Sequence, residues 1–279
     1  MNNSDLQTIL IIGAGNMGTS IALGLLTNHW PAEKITFCEQ DHSRHAALSD
    51  TFPECTIVSD PAEVTSACKI VLLAVKPNDM ASACQKLSAI NLPTHTLFIS
   101  IAAGVPVSAF QNWLGNQATI VRCMPNTPAA IGLGMTGLYS HPSISRADKQ
   151  LADQILSATG KTLWVDTENM LDAVTALSGS GPAYLFYLME CLQESGNSLG
   201  LSAQDSYTLT LQTMLGAAQL AKQQNIDFKT LRANVTSKGG TTEQAINCLM
   251  QNDMEKSIDN ALKAAAARAA EISQSFTKE

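Results

Sequence analysis

The sequence predicts two layered parts, an open parallel α/β sheet domain followed by an all-α domain. Three observations carry this. Strand-sized apolar runs alternate with helix-period stretches over the first 165 or so residues. A turn rich in glycine, Gly13-Ala14-Gly15-Asn16-Met17-Gly18, stands between the first run and the first helix. Beyond Asp166 the strand signal almost vanishes and long helical segments take over. Together they define a Rossmann-like domain over 1–165 and a helical domain over 166–279, divided near Val165–Thr167.

Taken in order, Thr8–Ile12 is a short apolar strand, and Met17–Thr27 carries apolar residues at helical spacing. Ile35–Glu39 reads as the second strand, Ser43–Phe52 as a helix and Thr56–Ser59 as the third strand. Ile70–Val75 is unbroken Ile, Val and Leu, the mark of a strand buried on both faces. Thr96–Ile101 and Ala118–Cys123 repeat that pattern, and Gly137–Tyr139 and Thr162–Val165 are weaker strands. In the second part, Pro182–Leu199 forms a helix, with Ser180 as its N-cap. Ser202 caps another that ends near Gln224, and further helices cover Thr241–Met250 and Met254–Ser275. The Pro182 helix is apolar almost all round and needs cover on several sides, which points to a symmetric partner.

Composition narrows the function classes. Seventeen basic against 24 acidic residues give a net charge of −7, with no basic cluster, so nucleic acid is not expected as a partner. No apolar run reaches the ~20 residues that span a bilayer, and the N-terminus lacks a signal-peptide pattern. The 7 cysteines are scattered without metal-ligand spacing, which suits reduced thiols in the cytoplasm and no bound metal. No Ser/His/Asp or Cys/His set is present, which argues against a hydrolase.

The chemistry-bearing motifs fall at strand ends and helix starts. In the glycine turn, Gly13 permits a tight bend, Gly15 lets backbone approach a pyrophosphate, and Gly18 packs helix on strand. Glu39 ends the second strand, 21 residues after Gly18, where an acid either accepts from the ribose hydroxyls of NAD or stands as a solvated strand end. Arg44 lies nearby and either reaches a 2′-phosphate or, the reading favoured by sequence, stands as a surface helix residue. Ala74-Val75-Lys76-Pro77 leaves the buried strand at its carboxyl end, where ligands bind in such sheets. Ser100-Ile101-Ala102-Ala103-Gly104 ends the next strand with small residues that leave room for a flat ring. Two prolines then bracket Asn126 and Thr127 in Met124-Pro125-Asn126-Thr127-Pro128. Ser237-Lys238-Gly239-Gly240-Thr241-Thr242 opens a helix and combines hydroxyls, glycines and a positive dipole end, a site for a carboxylate or phosphate.

In sequence, GAGNMG, AVKP, SIAAG, MPNTP, SGSGPAY and SKGGTT resemble the pyrroline-5-carboxylate reductase family over nearly the whole chain, the last three motifs being the most specific. The resemblance implies an all-α dimerisation domain, a homodimer or a larger homo-oligomer built from dimers, and an active site where two subunits meet. It implies reduction of 1-pyrroline-5-carboxylate to L-proline with NADPH or NADH, the last step of proline biosynthesis. Carried over, Thr242 stands beside the ring nitrogen as the catalytic residue, and Ser237, Gly240 and Thr241 surround the substrate carboxylate. Glu168 matches an acidic position near the ligand. Gly13 to Gly18 (with Ala14, Asn16 and Met17), Ala74 to Pro77, Ser100, Ala102, Ala103 and Asn126 face the cofactor, as Glu39 does by its place at the strand end rather than by the resemblance. Three departures stand out: Lys238 for the usual proline of the substrate turn, Pro61 for a ribose-contacting asparagine, and Glu39 for a small or polar residue. The Glu39 carboxylate leads to the expectation that NADH is used at least as well as NADPH.

Two other functions compete. A 3-hydroxyacid-type dehydrogenase has a similar two-part plan, yet needs a lysine or histidine acid/base on the helical domain, where Lys238 is the sole candidate in these motifs. A dinucleotide-sensing or pyridoxal-phosphate-binding protein would keep a nucleotide or lysine site without needing the Gly239-Gly240-Thr241-Thr242 turn.

Overall fold

The computed structural model describes residues 7–64 and 68–276. The chain forms two compact units, Met1–Ser180 with Ala265–Glu279, and Gly181–Ala264.

The first unit holds β1 (Ile9–Ile12), α1 (Asn16–Thr27), β2 (Ile35–Cys38), α2 (His45–Thr51), β3 (Thr56–Val58), β4 (Ile70–Leu73) and α3 (Met80–Ser88). It continues with β5 (Leu97–Ser100), α4 (Val107–Leu114), β6 (Thr119–Met124), β7 (Gly134–Ser140), α5 (Arg146–Ser157), β8 (Gly160–Trp164) and α6 (Met170–Val174). The eight strands form one sheet in the order β3-β2-β1-β4-β5-β6-β7-β8. Strand order reverses at β1, so the crevice between β1 and β4 is a topological switch point.

Alternation along each strand sorts the core into two layers. Ile9 and Ile11 face α1, α2 and α5 through Ile21, Leu25, Leu48 and Ile155, while Leu10 and Ile12 face α3 and α4 through Met80, Leu87 and Phe110. Fully burying each such side chain is worth about 1.5–3 kcal/mol against leaving it exposed.

One strand breaks the expected parallel pattern. β7 runs antiparallel to β6, and β8 then pairs parallel with β7. A parallel return needs a crossover of about a dozen residues. The link from β6 to β7 is instead a short 3-10 turn at Thr127–Ile131 closed by Gly132 in the left-handed region, so the chain doubles back beside itself. Helices α3, α4, α5 and α6 fill stretches for which the sequence pattern predicts no element.

The composition boundary near Val165 and the boundary of compactness differ. Residues 166–180 stay with the sheet, where Val174 packs on Gly137. So do the last turns of α11 (Met254–Ser275), whose Ile272 covers Gly104, and Phe276, which lies edge-on to Trp113. Ser180 does not cap a helix. Its backbone is helical and its N–H donates to the Thr175 carbonyl at 2.8 Å, closing a wide π turn over Thr175–Gly179.

The second unit holds α7 (Gly181–Ser198), α8 (Ala203–Gln224), α9 (Phe228–Asn234), α10 (Thr241–Gln251) and the first part of α11. Ser202 caps α8 as expected, accepting from the Asp205 N–H at 3.1 Å. Helix α7 lies close against α8 because Gly196 offers no side chain to the buried Ser206. No α7 residue is buried within the chain, and Phe186 and Tyr187 are 64% and 68% exposed. Among the described residues, no helix is long and apolar enough to cross a membrane.

Candidate active site

The sheet places the predicted cofactor residues along a single edge. Cys38, Ile12, Leu73, Ser100 and Arg122 stand level across β2, β1, β4, β5 and β6. Backbone bonds extend that row outward: Gly13 N–H donates to the Cys38 carbonyl at 2.9 Å and Ala74 N–H to the Ile12 carbonyl at 2.8 Å. Gly13, Glu39, Ala74 and Ile101 therefore leave the sheet side by side at its carboxyl edge.

The three glycines have three different surroundings. Gly13 has φ +91°, where side chains are strained, and a Cβ there would lie 2.8 Å from Val75 Cγ1. A Cβ on Gly18 would lie 2.6 Å from the Gly13 carbonyl oxygen and 3.2 Å from Ala74 Cβ. A Cβ on Gly15 would meet nothing within 4 Å. The first glycine thus makes the bend, the third lets α1 sit on the turn, and the second leaves open backbone at the start of a 12-residue helix. That cradle fits the pyrophosphate of a dinucleotide.

Glu39 is buried beside this turn rather than extended into solvent. Its Oε2 accepts from the Ala14 N–H at 3.1 Å and from Arg44 Nη1 at 3.1 Å, and its Oε1 accepts from the Asp41 N–H at 3.1 Å. Arg44 Nη2 also donates to the Ala14 carbonyl at 2.5 Å. The acid and the base thus hold both peptide groups of Ala14. Hydrogen bonds from Ser43 lower the Asp41 carboxyl below its usual range.

The remaining cofactor-side residues divide by orientation. Lys76 is exposed, and Pro77 starts a 3-10 turn. Ser100 is buried and its Oγ accepts from the Ala102 N–H at 3.3 Å, so its hydroxyl shapes the loop. Asn126 Oδ1 accepts from the Met135 N–H at 2.8 Å, and its Nδ2 donates to the Ser178 carbonyl at 3.1 Å. Its side chain ties the β6 loop to residues just before α7.

Glu168 is half-buried and committed. Its Oε1 accepts from Arg122 Nη1 at 2.6 Å and from the Val107 N–H at 2.7 Å. Asp172 lies within the field of that pair, and burial raises its carboxyl while Arg122 opposes the rise. Neither arginine partner was assigned to the site from sequence. Arg122 had a readable signal: a lone cation inside the apolar strand Thr-Ile-Val-Arg-Cys-Met requires an acid. Arg44 had a weaker one, a cation five residues after Glu39, whereas its contact with Ala14 spans 30 residues.

In the second unit the Ser237–Thr242 segment forms a turn into α10. Gly239 has φ +72°, and its N–H donates to Glu243 Oε2 at 2.8 Å. Gly240 N–H donates to the Ser237 carbonyl at 3.0 Å. Gly240 is the N-cap and contributes no side chain, leaving the Thr241 and Thr242 amides in the first turn, where a helix has no internal acceptors. Both threonines are exposed.

Comparison with known proteins adds to this geometry. A family model described as "Pyrroline-5-carboxylate reductase dimerisation" matches residues 168–272, and one described as "NADP oxidoreductase coenzyme F420-dependent" matches residues 8–104. The chain is 43% identical to pyrroline-5-carboxylate reductase of Pseudomonas aeruginosa over 266 residues, which is 95% of this chain and 97% of that protein. It belongs to the pyrroline-5-carboxylate reductase family. The family enzyme of Vibrio alginolyticus is 38% identical over 97% of this chain and 99% of its own length. Among solved structures, a pyrroline-5-carboxylate reductase from Coxiella burnetii superposes with a TM-score of 0.91 at 38% identity, covering 96% of this chain and 98% of that one. A Plasmodium falciparum pyrroline carboxylate reductase with NADP bound gives a TM-score of 0.83 at 27% identity, covering 96% and 98%.

Proposed function

We infer that this chain is a pyrroline-5-carboxylate reductase, reducing 1-pyrroline-5-carboxylate to L-proline with NAD(P)H as the last step of proline biosynthesis. The observation that carries the reading is the span of the likeness. At 43% identity it covers 95% of the chain, so neither the glycine turn nor the substrate turn rests on fold analogy alone.

The reaction adds a hydride to the carbon of a C=N bond and a proton to its nitrogen. The bound nicotinamide supplies the hydride; the protein supplies position and charge. The Gly13–Gly18 turn, Ala74–Pro77, Ser100–Ala103 and the Asn126 loop frame the cofactor along the sheet edge. Thr242 hydrogen-bonds the ring nitrogen through its hydroxyl. The Thr241 and Thr242 amides, with the Ser237–Gly240 turn, hold the substrate carboxylate at the start of α10, and Lys238 adds a positive charge nearby. Glu168 serves the site by holding Arg122 and the start of α4. An iminium is already electrophilic, so this set needs no histidine base.

Residues 166–279 act as the dimerisation and substrate-binding domain, and 1–165 as the dinucleotide-binding domain. The matched dimerisation family and the exposed apolar side chains of α7 and α8 support a homodimer, itself able to build larger assemblies, with the active site where subunits meet. Seven free thiols, four of them buried, suit the reducing cytoplasm. The test is the loss of NAD(P)H absorbance on adding 1-pyrroline-5-carboxylate, with proline as product. Absence of oxidation with both cofactors overturns the reading.

A further inference from the structure

We propose that Arg44 is the residue that recognises the 2′-phosphate of NADPH, with Glu39 as its positioning residue. The proposal rests on the reductase reading for its cofactor, and it reverses the expectation that the Glu39 carboxylate repels that phosphate.

Four observations lead here. Glu39 and Arg44 sit where the second strand ends beside the glycine turn, the place where the adenine ribose of a dinucleotide lies in this type of sheet. The Glu39 side chain is 11% exposed and already paired, so its charge is compensated within the protein. Its three acceptor contacts run to Ala14 N–H, Asp41 N–H and Arg44, and these hold it against the turn. The Arg44 side chain, by contrast, is 43% exposed.

Arg44 is anchored without being consumed. A guanidinium carries five N–H donors in a rigid fork. One is spent on Glu39 and one on the Ala14 carbonyl. The others suit a phosphate, for which a planar arginine fork is well matched. Glu39 fixes the direction of the fork, so little side-chain freedom is lost when the phosphate arrives.

The neighbouring charges favour this assignment. Asp41 is the acid closest in sequence to Arg44, and its Oδ1 accepts from both the Ser43 N–H and the Ser43 hydroxyl, at 3.0 and 2.6 Å. His42 shares a hydrogen bond with Ser59 across the rim, at 3.4 Å, and His45 is held by the Glu39 carbonyl at 2.7 Å. The acids of this region, Glu39, Asp41, Asp60 and Glu63, each accept from N–H groups of the protein itself.

The test separates nucleotide recognition from turnover. Calorimetry with 2′,5′-ADP and 5′-AMP is performed on the wild type, Arg44→Ala, Arg44→Lys and Glu39→Gln. The wild type binds 2′,5′-ADP more tightly than 5′-AMP. Arg44→Ala loses about 10- to 100-fold in 2′,5′-ADP affinity, with 5′-AMP changed less than about three-fold. Arg44→Lys recovers part of the difference through its point charge. Glu39→Gln weakens 2′,5′-ADP because the fork loses its anchor. Equal loss of both nucleotides in Arg44→Ala makes Arg44 a brace for the glycine turn and overturns the proposal. So does a wild type that does not distinguish them, or a Glu39→Gln variant that binds 2′,5′-ADP more tightly. None of these measurements uses pyrroline-5-carboxylate, so a wild type that discriminates the nucleotides but fails to oxidise NAD(P)H with that substrate overturns the reductase reading alone.

Discussion

One oxygen of Glu168 binds both the Arg122 guanidinium, at 2.6 Å, and the Val107 N–H, at 2.7 Å. Arg122 belongs to β6 and Val107 opens α4, so this carboxylate, 46 and 61 residues further along the chain, joins a strand to a helix start. Arg122 is only 6% exposed, whereas Glu168 is 30% exposed. The pair is therefore partly screened on one side and dry on the other. Glu168→Ala leaves a buried cation and an unfilled helix amide, and should destabilise the chain by about 2–3 kcal/mol, less than the ~3–5 kcal/mol of a fully buried pair because Glu168 is partly exposed. Urea unfolding checks this. Arg122→Met combined with Glu168→Leu should cost less than the sum of the single changes; simple additivity would mean that the two side chains do not interact.

Gly15 and Gly18 should respond differently to alanine. At Gly18 the new methyl meets the Gly13 carbonyl at 2.6 Å, so folding stability should fall by about 1–3 kcal/mol. At Gly15 there is open space within 4 Å, so the melting temperature should hold while dinucleotide affinity drops by about ten-fold or more. Thermal melts read alongside cofactor titrations distinguish the two. An unstable Gly15→Ala with normal affinity would refute the role given to that backbone.

Thr242→Ala should lower kcat by roughly 10- to 100-fold, the value of ~1–3 kcal/mol for a hydrogen bond to the reacting nitrogen, with the circular dichroism spectrum unchanged. Thr241→Ala should have a smaller effect, because its contribution comes through the amide. Wild-type kinetics in Thr242→Ala would remove that hydroxyl from the chemistry.

The exposed face of α7 should be the assembly surface. Phe186 and Tyr187 stand 64% and 68% exposed within one chain. Phe186→Glu should shift the protein towards monomer in sedimentation at micromolar concentration and abolish turnover with it. A wild type that sediments as an active monomer would contradict both the interface and the shared active site.

Alkaline pH should destabilise the fold through its buried thiols. Burial pushes Cys38 and Cys84 from 9.0 to about 12, and raises Cys123 as well. Above pH 9 the unfolded chain ionises these thiols while the folded chain keeps them protonated. Unfolding then releases protons, so stability is full below pH 9 and declines as pH rises towards 12, by up to about 1.4 kcal/mol per pH unit for each thiol. Urea midpoints on either side of pH 9 test the sign. At neutral pH the exposed Cys248 should react with a thiol reagent well before these three.

The strands that form the sheet centre were readable because they are buried on both faces and carry little but Ile, Val and Leu, as in Ile70–Leu73. The glycine turn was readable because each glycine answers a separate steric demand. Other features escaped for physical reasons. The antiparallel turn of β7 depends on the brevity of the link after β6, which hydrophobic pattern does not report. Helix α5 is largely polar, with three buried residues, and offers only a narrow stripe. Ser180 has the composition of a cap and the backbone of a helix, because the preceding turn widens instead of ending. Ala14 reaches Glu39, and Val107 and Arg122 reach Glu168, across 25 to 61 residues that only folding brings near, so sequence offered these charges without their directions.

The return of α11 to the sheet unit has a consequence for the order of synthesis. Gly104 is covered by Ile272, and Trp113 meets Phe276 edge-on at 6.3 Å between ring centroids. A ribosome makes the sheet strands first and this covering segment more than a hundred residues later. In the interval, the nascent α3–α4 layer carries an apolar gap that its own length of chain does not fill. The sheet unit is thereby completed only by the last residues made, and a chain stalled before the end of α11 lacks the cover that Ile272 and Phe276 provide.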